Sequence, residues 1–382
     1  MIIVKLRAGL GNQLFMYALG RHLALKNNTT LKFDVSWWDQ TNRNRPRNPS
    51  ICNYDVSGEL ATPEDIKSVL RPASVFMSLK QPVNPAEYKL SKLHELPNIG
   101  NQSLREYYSD SASKQTNEDT TSVDRSSNLA DPVMNFGKKR IEMIGTEIFR
   151  RFPKTIGNLT NYYRDIEGTP ANDSRSWAHR RTFSHNVLNI QGDAYLEGYW
   201  QSPKYFEAIA DTIRSDFSLT CPLTGTDAEL AKEISETQSV SIHIRRGDRI
   251  AYTEKAASEQ WGDTPKEYIE KAVSYVTERV SEPHFFVFSD SSDWTQEHVD
   301  LDYPTTFVTH NDGSTDHLDL ELMKRCDHNI ISGSTFSWWA AWLNENDEKI
   351  VIAPDPWTRG TSKGELHKWD HIPNNWTVLQ HL

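Results

Sequence analysis

Three short polar segments, each directly after an apolar run, carry side chains suited to a diphosphate. Arg245-Arg246-Gly247-Asp248 follows the run 240–244, Ser289-Asp290 follows 285–288, and Gly333-Ser334-Thr335 follows 329–332 and opens a helical pattern. Arginine keeps its charge at physiological pH and offers parallel N–H donors to a pyrophosphate. Ser334 and Thr335, at the mouth of a helix, leave backbone N–H groups for a phosphate. A carboxylate such as Asp290 can accept the N1–H and N2–H of guanine. Each segment alone has a plainer reading: an ion-paired surface for Arg245-Arg246, a helix cap for Ser334-Thr335, a turn for Asp290. Their coincidence raises the ligand reading, since ligands of parallel α/β sheets bind beyond the carboxyl ends of the strands.

Positioning these residues takes a parallel sheet covered by helices, and the sequence from about 205 onward has that rhythm. Strands are expected at 240–244, 285–288, 329–332 and 350–353, and helices at 264–280, 316–326 and 336–343. Ahead of it, a strand over 1–6, a glycine-rich turn at 9–11, a helix over 13–25 and a strand at 31–35 form a less regular α/β unit. A chain of 382 residues is too long for one ordinary core. Two α/β domains are expected, 1–204 and 205–382, with the stretch 109–130, dominated by Ser, Thr, Asp and Asn, as a mobile insertion.

Composition narrows the function. A net charge of −10 without a Lys/Arg run excludes a nucleic-acid surface. The apolar start is too short for a signal segment or a membrane span, so a cytoplasmic protein is expected, with peripheral membrane contact left open. Cys52, Cys221 and Cys326, odd in number and far apart, fit neither a disulfide framework nor a zinc site and read as buried thiols. Twelve Trp are compatible with stacking on sugars, although burial is the commoner fate of any one. Leu14 stands where a dinucleotide fingerprint beginning at Gly9 needs its third glycine, and neither a phosphate loop nor a hydrolase elbow occurs. Asp300-Leu301-Asp302 matches the Asp-x-Asp pattern of metal-dependent transferases but has no apolar strand before it, and no metal site is expected.

Four blocks in order, Gly9-Leu10-Gly11-Asn12-Gln13-Leu14-Phe15, Gly198-Tyr199-Trp200-Gln201-Ser202, His243-Ile244-Arg245-Arg246-Gly247-Asp248 and Ser332-Gly333-Ser334-Thr335-Phe336-Ser337-Trp338-Trp339, resemble the α-1,2-fucosyltransferases of bacteria and animals. The resemblance implies a GT-B-type fold: two Rossmann-like α/β domains facing across a cleft, the C-terminal one holding GDP-fucose, with a glycan acceptor on the N-terminal side. It implies single-displacement inversion without a metal or other cofactor. Arg245 would neutralise the β-phosphate, His243 and Asp319 would contact guanine or ribose, Ser334, Thr335 and Phe336 would line the phosphates, and Asn12 would reach across from the N-terminal domain. Asp248 would orient Arg245 and Arg246. No general base stands out, and Glu197 and Asp193 are weak candidates whose plainer reading is loop carboxylates. An inactive nucleotide- or sugar-binding protein, a nucleotide-sugar hydrolase and a fucosyltransferase of another linkage are the alternatives.

Overall fold

The computed structural model describes residues 1–37, 49–69, 162–164, 183–246, 264–357 and 370–380. It opens with the expected strand-turn-helix unit: β1 (Ile2–Lys5), α1 (Leu10–Lys26) and β2 (Leu31–Asp34). The helix starts three residues earlier than its apolar spacing indicates. Gly9 is its N-cap in extended conformation, so Leu10 and Gly11 belong to the first turn and not to a loop. Short strands β3 (Glu59–Leu60), β4 (Tyr162–Arg164) and β5 (Ala194–Glu197) complete a sheet ordered β3-β2-β1-β5-β4, every pairing parallel.

After α2 (Ala210–Asp216) and α3 (Gly225–Glu236), a second parallel sheet is built from β6 (Gln238–Ile244), β7 (Pro283–Ser289), β8 (Thr305–Val308), β9 (His328–Ile330), β10 (Val351–Asp355) and β11 (Thr377–Gln380). Between them lie α4 (Lys266–Thr277), α5 (Ser292–His298), α6 (Asp316–Arg325) and α7 (Thr335–Leu343). The order is β11-β10-β9-β6-β7-β8. Strands β6, β7 and β9 are therefore immediate neighbours, and the three polar segments singled out from the sequence leave the sheet side by side. The fold is thus α/β with two parallel, helix-covered sheets, as expected. One sheet draws its strands from residues before 204 and the other from residues after 205.

Helices α1 and α7 join the two sheets. Helix α1 is buried on nearly all sides, as a helix apolar around its whole circumference must be. Its neighbour α7 carries the Trp-Trp pair: Trp338 and Trp339 are fully buried and pack on Phe15 of α1 with ring centroids 4.6 and 4.8 Å away. Phe206 stacks on Trp339 at 5.1 Å, and Phe217 meets it edge-on at 5.2 Å. These tryptophans are core, not sugar platforms, and truncating either to Ala costs about 3–5 kcal/mol. Of the three thiols only Cys326 is buried; Cys52 is half-buried and Cys221 exposed, which corrects the expectation for both. The proposed insertion at 109–130 lies outside the described residues. Among the described residues no helix is long and apolar enough to cross a membrane.

Candidate functional site

The amino ends of α1 and α7 meet. A Cβ added at Gly11 would lie 2.5 Å from the Phe336 nitrogen and the Thr335 carbonyl carbon, and 2.7 Å from the Thr335 oxygen. Trp339 Nε1 donates to the Gly11 carbonyl at 3.0 Å, which locks this approach. Each helix follows its strand by a few residues, so the carboxyl ends of both sheets converge here. Neither first turn holds an acidic residue. Two helix dipoles therefore present their positive ends to the same place.

On the C-terminal side, β6 runs into Arg245 and Arg246. Asp290, leaving the neighbouring strand β7, takes both into its reach: Oδ2 lies 3.1 Å from Arg245 Nη1, and Oδ1 accepts the Arg246 backbone N–H at 2.9 Å. Thr264 Oγ1 accepts the Arg245 backbone N–H at 2.9 Å. Each Asp290 oxygen thus serves the arginine turn, a bracing role that the sequence reading of Asp290 as a guanine acceptor did not include. The two arginines diverge as well. Arg246 lays its guanidinium 4.0 Å over the Trp294 ring, while that of Arg245 pairs with Asp290. Asp248 lies outside the described residues.

His243, on β6, is buried and shares a 2.7 Å hydrogen bond between Nδ1 and Ser332 Oγ. Burial, and after it the charge of Arg245, hold the imidazole neutral by lowering its pKa to about 4. Its ring lies 5.5 Å from that of Phe336 in the first turn of α7. Ser334 caps α7, its Oγ accepting the Phe336 N–H at 3.3 Å. The Thr335 N–H has no partner among the described residues. Of the two residues expected to offer backbone N–H groups to a phosphate, Ser334 donates its own to the Ser332 carbonyl at 2.7 Å, and Thr335 keeps its donor.

Asp319 stands in the first turn of α6, beyond the carboxyl end of β8. Burial raises its carboxyl to about 7, against the lowering effect of Asn311, whose Nδ2 donates to Oδ1 at 2.8 Å. Asn311 Nδ2 also donates to Asp227 at 2.9 Å, and His310 Nε2 meets the same Asp227 oxygen at 2.9 Å. Asn311 and Asp227 were not singled out from the sequence. They lie 84 residues apart with no local pattern to link them.

On the N-terminal side, Asn12 occupies the first turn of α1, and its Oδ1 accepts from Gln201 Nε2 at 2.7 Å. Glu197, at the carboxyl end of β5, sits 3.6 Å from Arg7 Nη1 and 4.0 Å from Lys5 Nζ. The Arg7 guanidinium lies 4.5 Å over Tyr199. Asp193 stands at the amino end of β5, the opposite end of the strand from Glu197. Asp300 and Asp302 are exposed on the connection entering β8, at the amino edge of its sheet, far from the arginine turn. Among the described residues no group of three His, Cys, Asp or Glu side chains could hold a metal ion.

A family model, glycosyl transferase family 11, matches residues 173–380. An α-1,2-colitosyltransferase of Escherichia coli is 34% identical over 195 residues, half of this chain and 64% of that protein. The galactoside α-(1,2)-fucosyltransferase 1 of Homo sapiens is 26% identical over 160 residues, 40% of this chain and 43% of that one. The chain thus spans under two thirds of these relatives. A solved fucosyltransferase, NodZ from Bradyrhizobium, aligns with a TM-score of 0.37 at 16% identity, covering 89% of this chain and 91% of that one.

Proposed function

Because this chain belongs to glycosyl transferase family 11, we propose that it moves L-fucose from GDP-fucose to the 2-hydroxyl of a terminal galactoside, with inversion and without a metal ion. The observation that carries the reading is the Arg245–Asp290 pair standing beside His243 and the α7 amino end, on three adjacent strand ends. As the acceptor hydroxyl attacks C1, the C1–O bond to the β-phosphate breaks, its electron pair leaves with GDP, and the hydroxyl proton passes to solvent or to the departing diphosphate. Arg245, fixed by Asp290, meets that growing charge, as does the Thr335 N–H. Pre-positioned donors stabilise such charge more in the transition state than in the ground state. Neutral His243 serves the ribose or guanine, and ionised Asp319 accepts the N1–H and N2–H of guanine. Acceptor sugar then falls to the N-terminal sheet, toward Tyr199 and Glu197.

The α-1,2-colitosyltransferase among the relatives favours a second donor at the same site, a colitosyl nucleotide. Incubation of the protein with each donor and a panel of galactosides, followed by linkage analysis, separates the two. An α-1,2-fucosylated product is expected. Release of free sugar at equal speed with and without acceptor would make the protein a hydrolase, and stabilisation by GDP without transfer would make it a binding protein.

A further inference from the structure

The amide of Asn12 has two faces, and only one of them suits a diphosphate sugar. Its oxygen accepts while its nitrogen donates twice. The oxygen is occupied by Gln201 Nε2 at 2.7 Å, from a side chain that is itself 92% withdrawn from solvent. No described residue takes the hydrogens of Asn12 Nδ2. Asn12 adjoins Gly11, whose backbone presses on Thr335 and Phe336, so the residue lies in the turn of α1 that meets the α7 amino end.

Gln201 is held in place by an unusual backbone. Trp200 adopts φ +51° with its ring buried, and the Ser202 N–H donates to the Trp200 carbonyl at 2.8 Å, turning the chain sharply at Gln201. On the neighbouring strand's loop, Ala8 has φ +64°, and its carbonyl accepts from Gln13 Nε2 at 2.9 Å. A left-handed non-glycine residue costs about 1–3 kcal/mol and persists only where its surroundings over-determine it. Here two such residues, at the carboxyl ends of adjacent strands β1 and β5, flank one side-chain pair.

We infer that Gln201 is a positioning residue: by donating to Asn12 Oδ1 it turns the Asn12 NH₂ toward an accepting oxygen of the sugar nucleotide. The inference rests on the donor site proposed above and deepens it by naming what makes Asn12 a donor. A side chain at 201 that only accepts would draw the Asn12 NH₂ to itself and present the Asn12 oxygen to the diphosphate sugar, where it would repel.

Gln201→Glu makes that reversal at constant shape. The expected loss in kcat/KM at pH 8 is on the order of 10²-fold, the worth of one donor aimed at developing charge. Burying a carboxylate at position 201 should lower the melting temperature, so the loss is read on folded protein well below the transition. The variant-to-wild-type ratio should climb roughly tenfold between pH 7 and pH 5, because the new carboxyl, its pKa lifted by burial above the free value of about 4.3, regains a proton to donate as the pH falls. In an Asn12→Ala background, which alone should lose a similar factor with no acid recovery, Gln201→Glu should add nothing. Calorimetry with GDP identifies the oxygen: weakened GDP binding places it on the diphosphate, and unchanged GDP binding with slower transfer places it on the sugar. Should Gln201→Glu not fold, Gln201→Met removes the donor without adding charge, and its loss should likewise vanish in the Asn12→Ala background. Wild-type activity of Gln201→Glu across the pH range, or a loss that persists without Asn12, would overturn the inference. Wild-type activity of Asn12→Ala would instead overturn the donor-site reading itself.

Discussion

Gly11→Ala is the sharpest test of how the two halves are assembled. The new methyl group would sit 2.5 Å from two backbone atoms of Thr335 and Phe336, and backbone in a buried helix cannot swing aside as a side chain can. Ordinary carbon contact needs about 3.5 Å, so α1 and α7 must part by roughly 1 Å. Overpacking of this kind costs about 1–3 kcal/mol. Stretching the Trp339-to-Gly11 hydrogen bond, now 3.0 Å, adds a further 0.5–1.5 kcal/mol, roughly. Urea denaturation should therefore show a loss of about 1.5–4.5 kcal/mol. The same displacement separates Asn12 from Ser334–Phe336, and a misplacement of about 1 Å costs on the order of 10²-fold in transfer rate. Gly313→Ala, where an added Cβ meets nothing within 4 Å, is the control and should be silent. Wild-type stability and turnover in Gly11→Ala would refute the direct helix contact and the site assembled on it.

Three further expectations follow from the site. Arg245→Ala should lower kcat by roughly 10²–10³-fold with the fold intact, and Arg245→Lys should recover only part, since a point charge lacks the planar fork; near-normal turnover would remove its diphosphate role. GDP affinity, measured by calorimetry, should fall as the pH drops from 8 to 6, because guanine needs the ionised form of a carboxyl raised to about 7, and Asp319→Asn should flatten the slope. Without nucleotide the sign reverses: as the pH climbs from 3.8 to about 7 the folded chain keeps a proton on Asp319 that the unfolded chain has released, so stability from this group declines. Finally, Asp300→Ala and Asp302→Ala should be nearly silent and transfer should survive chelator. Abolition by chelator with restoration by Mg²⁺ would replace the arginine mechanism with a metal one.

Much of the second sheet is legible because its central strands are buried on both faces and so read as continuous apolar runs, as 285–288 does within β7. Strands β5, β8 and β11 are not legible. Strands β8 and β11 lie at the sheet edges with partly exposed side chains, so their apolar pattern is faint, and β5 ends on the charged Glu197. The start of α1 is missed for a different reason: Gly9 and Gly11 look like a loop, while the lack of a side chain at Gly11 serves the approach of another helix.

The candidate site divides along the same line. Its ingredients, Arg245, Arg246, His243 and the Ser334–Phe336 helix start, are local, each announced by an apolar run ending in polar residues, and the sequence alone determined them. Their partnerships were decided by tertiary structure. Asp290 braces arginines 44 and 45 residues away in the chain, Gln201 bonds Asn12 across 189 residues, and Trp339 bonds Gly11 across 328. Periodicity and propensity report which face of an element is buried. They hold no information on which strand lies beside which, and hydrogen bonds made only after the two sheets have docked are fixed by that order.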